Sequence, residues 1–215
     1  MTKQILVINP NSSEAVTGRI RESIEGLPVP QEVSVEYDFL SDAPAGIETQ
    51  ADIDYVVPLL ENRIENSTSD AYILACFSDP GIATLRQNTG KTIYGIGESA
   101  YLLSMSLADR FGIIAILPAS CERQRVYLKQ LGFDHRLAAT IPLGLGVSDL
   151  EDYDRTLDRI LEVSEQLISR GAGVMILGCA GMASYHQKIV DTFGMPVVEP
   201  SMAGALFAVN GFHFS

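Results

Sequence analysis

One cysteine setting occurs twice in this chain, and that repeat limits the possible folds more than any other feature. Cys76 ends the run Asp70-Ala71-Tyr72-Ile73-Leu74-Ala75, and Cys179 ends Gly173-Val174-Met175-Ile176-Leu177-Gly178. Each thiol therefore sits one step past an apolar, strand-like stretch and is followed by glycine and helix-forming residues. The two cysteines are 103 positions apart, as are Tyr94 and Val197 in the short β-branched runs that follow them. A duplication with this period predicts two lobes of about a hundred residues, each placing one thiol at a strand end.

The rest of the pattern fits such units. Ile5-Leu6-Val7-Ile8 is a continuous apolar run of the kind found in buried parallel strands. The turn Asn9-Pro10-Asn11-Ser12-Ser13 follows, then Val16, Ile20 and Ile24 at helical spacing, with Ser12 or Ser13 as N-cap. Val33–Tyr37 alternates as a second strand, and Ile53, Val56, Val57, Leu60 and Ile64 mark an amphipathic helix. Asp79-Pro80 reads as an N-cap and first-turn residue opening the helix after Cys76, with a strand around Ile96 beyond it.

In the second half Gly112–Leu117 is the first strand, and Pro118-Ala119-Ser120 occupies the place of Pro10-Asn11-Ser12. A helix from about Glu122, a weak strand over 137–141, a long helix over 153–168 and the Cys179 and Val197-Val198 strands complete it. Strand and helix alternate throughout, which predicts an α/β fold of short parallel sheets flanked by helices. Gly144-Leu145-Gly146 is the loop whose glycines suggest a mobile edge.

Charge narrows the partners. With 15 basic and 27 acidic side chains the net charge is −12, which argues against nucleic acid or anionic membrane as partner. The N-terminal segment lacks a signal peptide's apolar region, so a cytoplasmic location is expected. Three cysteines, an odd number, argue against a disulfide framework. His135, His186 and His213 show no metal-ligand spacing with the cysteines and are expected on the surface. Gly95-Ile96-Gly97 lacks the full phosphate-binding pattern. Cys121 reads as a helix-start packing residue, and Glu98 as an acid suited to a helix N-terminus.

Two thiols facing one site from opposite sides suit the transfer of a proton from one face of a carbon to the other. A helix N-terminus after each cysteine is expected to lower its pKa, and backbone N–H groups there would hold a developing enolate oxygen. The small residues Ala180 and Gly181 would let a substrate approach the backbone closely. The residues alone leave open a pair of structural buried thiols, or a reversible disulfide if the Cα atoms lie within about 7 Å.

The motifs Ile8-Asn9-Pro10-Asn11-Ser12, Ala75-Cys76-Phe77-Ser78-Asp79-Pro80-Gly81, Gly95–Ala100 and Leu177-Gly178-Cys179-Ala180-Gly181-Met182 resemble those of the aspartate/glutamate/hydantoin racemase superfamily. Within it the chain is most similar to the hydantoin and allantoin racemases. The resemblance implies two pseudo-symmetric α/β lobes with the site between them, catalysis without a cofactor, and a homo-oligomer. It implies a first lobe of residues 1–97 plus about 204–215, and a second of 98–203. Cys76 and Cys179 become the acid/base pair, and Asn11, Phe77, Ser78, Ala180 and Gly181 line the substrate pocket.

Amino-acid racemases of the superfamily tend to carry Asn-Thr and Thr-His after the two cysteines. Phe77-Ser78 and Ala180-Gly181 stand there instead, which favours a neutral cyclic ureide over an amino acid. The expected activity is racemisation of 5-substituted hydantoins or allantoin. The alternatives are aspartate/glutamate racemisation, maleate cis–trans isomerisation, or a non-catalytic two-lobed small-molecule binding protein.

Overall fold

The structure, a computed structural model, describes residues 2–214. Two four-stranded parallel sheets form its frame. The first has the order β2-β1-β3-β4, built from β1 (Lys3–Asn9), β2 (Val33–Phe39), β3 (Ala71–Leu74) and β4 (Ile93–Gly95). The second has the order β6-β5-β7-β8, built from β5 (Phe111–Ala115), β6 (Leu137–Pro142), β7 (Val174–Leu177) and β8 (Val197–Val198). The two orders are the same, so the duplication in the sequence is a duplication of topology. The chain adds β2 on one side of β1 and β3 on the other, with Ile5 in register with both Val35 and Ala71. That reversal opens a crevice beyond the carboxyl ends of β1 and β3, and the same reversal occurs at β5 and β7.

Residues 5–8 are at most 2% exposed, because helices cover both faces of the strand. Helix α1 (Glu14–Glu25) starts at the N-cap Ser13, whose side chain accepts from the Val16 N–H. Its Val16, Ile20 and Ile24 join a core that continues through Ile114, Leu145, Leu150 and Met182 of the second half. The lobes therefore share one apolar interior. Helices α2 (Gln50–Glu65) and α3 (Ile82–Thr89) flank the first sheet, and α5 (Pro118–Leu131), α6 (Tyr153–Ser169) and α7 (His186–Phe193) flank the second. Among the described residues no helix is long and apolar enough to cross a membrane.

Several expected boundaries shift. Helix α5 begins at Pro118, so Pro118-Ala119-Ser120 is its first turn and not a copy of the Pro10-Asn11-Ser12 turn. Gly144-Leu145-Gly146 is no bare edge: Leu145 is buried, Gly146 N–H is held by Asp149, and the neighbouring Val147 N–H donates to Glu48 Oε1 of the first half at 2.8 Å. Ile96 starts a helix, α4 (Ile96–Leu107), that follows β4 directly.

Asp79 does not open α3, which begins three residues later behind Gly81. Its backbone is left-handed (φ 43°), a conformation that Asp tolerates better than most residues. From there its carboxylate accepts from the Gly97 N–H at 2.9 Å and the Glu98 N–H at 2.6 Å, so it caps α4. Tyr127 on α5 donates to the same group at 3.1 Å. A β-carbon on Gly95 would overlap this carboxyl, and one on Gly97 would overlap the Phe77 carbonyl oxygen. Glycine is required at both places by this close approach, which gives Gly95-Ile96-Gly97 its structural purpose.

Helix α8 (Pro200–Gly211) returns to pack on α1, α4, β3 and β4. Its N-cap, Glu199, is 2% exposed and accepts from the Ser201 and Met202 N–H groups and from Ser23 Oγ of α1. Glu199→Ala removes all three hydrogen bonds and leaves the Ser201 and Met202 N–H groups and the Ser23 hydroxyl without this acceptor, at a cost of about 2 kcal/mol. The expected fall in melting midpoint is about 4–8 °C for a chain of this length, measured by calorimetry.

The Asp79 latch carries a pH signature. Burial pushes its carboxyl up to about 7, against the lowering effect of the Glu98, Gly97 and Tyr127 donors. A free Asp titrates near 3.9. Below that pH both folded and unfolded chains hold the proton, so the group's contribution is complete. As pH rises toward 7 the unfolded chain releases the proton first, and stability declines until the folded carboxyl has also ionised. Asp79→Asn lacks this slope. Its melting midpoint, relative to the parent, should gain several degrees between pH 4 and pH 8; a pH-independent gap would contradict the assignment.

Candidate active site

Four strand ends build the cleft. Asn11 follows β1, Cys76 follows β3, Ser120 stands in the first turn of α5 beyond β5, and Cys179 follows β7. Cys76, Phe77, Ser78, Cys179, Ala180, Gly181 and Asn11 all line this one cleft, so the structure brings together every site residue singled out in the sequence. All three cysteines are free thiols. Cys121 does not line the cleft; it is half-buried on α5, with its sulfur 3.7 Å from the Leu117 carbonyl oxygen. His186 stands at the start of α7 with Nε2 2.9 Å from the Val197 carbonyl oxygen, while His135 and His213 are exposed. Among the described residues no group of three His, Cys, Asp or Glu side chains is placed to hold a metal ion.

Asn11 owes its position to Asn9. The Asn9 Nδ2 donates to Asn11 Oδ1 at 2.8 Å and to Thr17 Oγ1 at 3.0 Å, and the Ser13 N–H donates to the same Asn11 oxygen at 2.9 Å. With its oxygen occupied twice, Asn11 offers the cleft its amide Nδ2 as a donor.

The helix starts after the two cysteines differ. A short 3-10 helix (Ala180–Tyr185) begins at once after Cys179, and the Gly181 N–H donates toward the sulfur. After Cys76 the chain turns through Phe77, Ser78 and Asp79 before α3, and the Ser78 N–H and hydroxyl serve that sulfur. These donors do not lower the thiol pKa values as expected. Burial outweighs them, pushing Cys76 up to about 12 and Cys179 up to about 11. Neighbouring charges act as well: Cys179 and Asp79 raise Cys76 further, and Glu48 raises Cys179 while Arg19 lowers it. The cleft thus holds two neutral thiols, and one ionised sulfur opposes ionisation of the other.

The cleft is narrow, with a cavity volume of about 40 Å³. Ile47 and Val147 also line it, beside the Glu48–Val147 hydrogen bond that joins the two halves.

Sequence reading missed the second-half wall of the cleft, which α5 supplies. Ser120 and Gln124 are each 5% exposed, and Arg123 and Gln124 also face the cleft. Arg123 donates from Nη2 to Ser120 Oγ at 3.2 Å. A signal was present, since Ser120, Gln124 and Tyr127 lie at helical spacing on one face just beyond a strand end. Arg123 introduces a cation where the motifs around the cysteines carry none.

The Asp/Glu/Hydantoin racemase family matches residues 5–208. The hydantoin racemase of Paenarthrobacter aurescens is 31% identical over 211 residues, covering 95% of this chain and 89% of that protein. Among solved structures, an allantoin racemase from Klebsiella pneumoniae superposes with a TM-score of 0.89 at 26% identity, over 99% of this chain and 88% of that one. The allantoin racemase of Pseudomonas fluorescens shares the fold with a TM-score of 0.93 at 23% identity, over 98% of this chain and 91% of that one. With duplicated α/β sheets, a cleft at the paired switch points and this match across nearly its whole length, the chain belongs to the Asp/Glu/hydantoin racemase family and is an isomerase of the racemase class.

Proposed function

We propose that this protein racemises 5-substituted hydantoins or allantoin without a cofactor, using Cys76 and Cys179 as a two-base pair. One observation carries the reading: two free thiols from equivalent strand ends line a single cleft between the halves. In one direction the Cys76 thiolate takes the proton from the ring carbon next to the carbonyl, leaving an enolate. The Cys179 thiol then gives its proton to the opposite face of that carbon. In the other direction the roles exchange, and the single negative charge ends on the other sulfur. Asn11 Nδ2 supplies a donor for a ring carbonyl, and Phe77, Ser78, Ala180 and Gly181 form the walls that hold the ring between the sulfurs.

The raised thiol pKa values fit a carbon acid. A thiolate formed in a poorly solvated cleft is a stronger base than one in water, and it forms only when the other thiol stays protonated. The cost is population, because little thiolate exists at neutral pH. The enzyme-dependent rate is therefore expected to climb with pH from neutrality into the alkaline range and then to fall as the second thiol ionises.

Arg123 favours one second reading. A cation in the cleft suits a substrate with a free carboxylate, as in aspartate, glutamate or maleate.

The test is incubation of one enantiomer of 5-benzylhydantoin or allantoin in D2O, following optical rotation and deuterium uptake by NMR against a no-enzyme control. Rotation is expected to decay together with deuterium incorporation. Cys76→Ser and Cys179→Ser should each lose racemisation by about 10²–10⁴-fold. Turnover of aspartate, glutamate or maleate with none of the cyclic compounds would move the assignment to the second reading. Binding without turnover of any of these compounds would identify a non-catalytic binding protein.

A further inference from the structure

The repeat lets the two thiol turns be compared position by position. Asp79 lies 103 residues before Met182, the same spacing that separates Cys76 from Cys179. Both turns close with the same hydrogen bond. The Asp79 N–H donates to the Cys76 carbonyl oxygen at 2.9 Å, and the Met182 N–H to the Cys179 carbonyl oxygen at 3.0 Å. The second half holds its turn by burying Met182 in the apolar core. The first half buries a carboxyl instead, on the only left-handed backbone that a non-glycine residue adopts among the described residues.

That choice is costly on two counts. A left-handed Asp is strained, and such strain persists only where the surroundings hold it. A buried carboxyl also needs donors, and the Gly97 and Glu98 N–H groups and the Tyr127 hydroxyl supply three. An apolar residue in its place, as at Met182, would close the same turn with neither demand. What the carboxyl adds concerns the neighbouring thiol. Ser78, one residue earlier in the turn, directs its N–H and hydroxyl at the Cys76 sulfur. The aim of both donors depends on the turn, which the carboxyl ties to the start of α4 and to Tyr127 of α5. The Asp79 charge also opposes the Cys76 thiolate, whereas Cys179 answers to Glu48, Arg19 and Glu199.

We propose that Asp79 and Tyr127 are positioning residues for the first thiol alone: together they hold the Ser78 donors on the Cys76 sulfur and keep a carboxylate beside that turn. This rests on the two-thiol reading given above. A thiolate that forms near a carboxylate is scarcer and more basic, and the Ser78 donors keep it oriented toward the carbon acid. The other titratable groups that face the carboxyl are Glu98, paired with Arg86 of α3, and the phenols of Tyr101 and Tyr127.

The test reads each thiol separately. Alkylation of Cys76, Cys121 and Cys179 by iodoacetamide at pH 8 is followed by mass spectrometry, beside kcat and KM for 5-benzylhydantoin by polarimetry. Asp79→Gly keeps the left-handed backbone and removes the carboxyl. Its Cys76 should be alkylated about threefold faster or more, with Cys121 and Cys179 within about twofold of the parent. Its kcat should fall by about 10–100-fold while KM moves by less than about threefold. A general loosening of the fold would not raise the reactivity of one thiol while turnover falls. Asp79→Asn removes the charge but keeps an acceptor oxygen, so Cys76 should quicken similarly while kcat falls by less than about tenfold. Tyr127→Phe keeps the charge and frees the turn from α5, and kcat should fall by about three- to tenfold.

Equal quickening of all three cysteines, or a folded Asp79→Gly that turns over within about twofold of the parent, would overturn the proposal and leave the racemase reading standing. If Asp79→Gly does not fold, undiminished turnover in Tyr127→Phe overturns it. A parent that leaves 5-benzylhydantoin unracemised would count against the racemase reading alone. The selective change at Cys76 would then still uphold the role of Asp79, and its absence would sink both.

Discussion

The Asp79 carboxyl is the joint on which the placement of the first thiol depends. It lies three residues beyond Cys76, at the N-terminus of the helix that leaves the first sheet, and it receives a hydroxyl from the second half. Three parts of the molecule are thereby fixed to one group: the Cys76 turn, the start of α4 and the face of α5 that closes the cleft. The glycines at 95 and 97 let the carboxyl sit against the helix start without a side chain between them. Phe77 is held by the same arrangement, its ring 5.3 Å edge-on to Tyr101 of α4. No corresponding latch is needed after Cys179, where the 3-10 helix begins on the cysteine itself and packs against α1. The halves share a topology but secure their thiols by different means.

Much of this was legible in the sequence, and for one reason. Parallel strands covered on both faces must be continuous apolar runs, so Ile5–Ile8, Ala71–Leu74 and Val174–Leu177 stand out, and ligand sites in such sheets lie at strand ends. That logic reached Cys76 and Cys179 directly, while Asn11 came from the family resemblance. It failed where a side chain serves an element far away in sequence. Asp79-Pro80 has the local grammar of a helix start, yet the helix that Asp79 caps begins at Ile96, through hydrogen bonds to residues 18 and 19 positions on. Nothing in the local spacing encodes that choice. Arg123 and Gln124 were hidden differently, because polar residues on an amphipathic helix read as its solvated face. Only the packing of α5 across the cleft turns that face inward.

The thiol pKa values were misread for a related reason. A helix start beside a cysteine does favour the thiolate, and the Gly181 and Ser78 N–H groups act in that sense. Sequence shows the donors but not the depth of the cleft that removes water from both sulfurs. Desolvation is the larger effect here, and its sign is opposite.

Burial and base strength are therefore two aspects of one geometry. The cleft that keeps water from the two sulfurs opposes ionisation of either. On the proposed mechanism the same desolvation raises the basicity of whichever sulfur carries the charge, while its partner thiol stays protonated and can return a proton to the opposite face of the carbon.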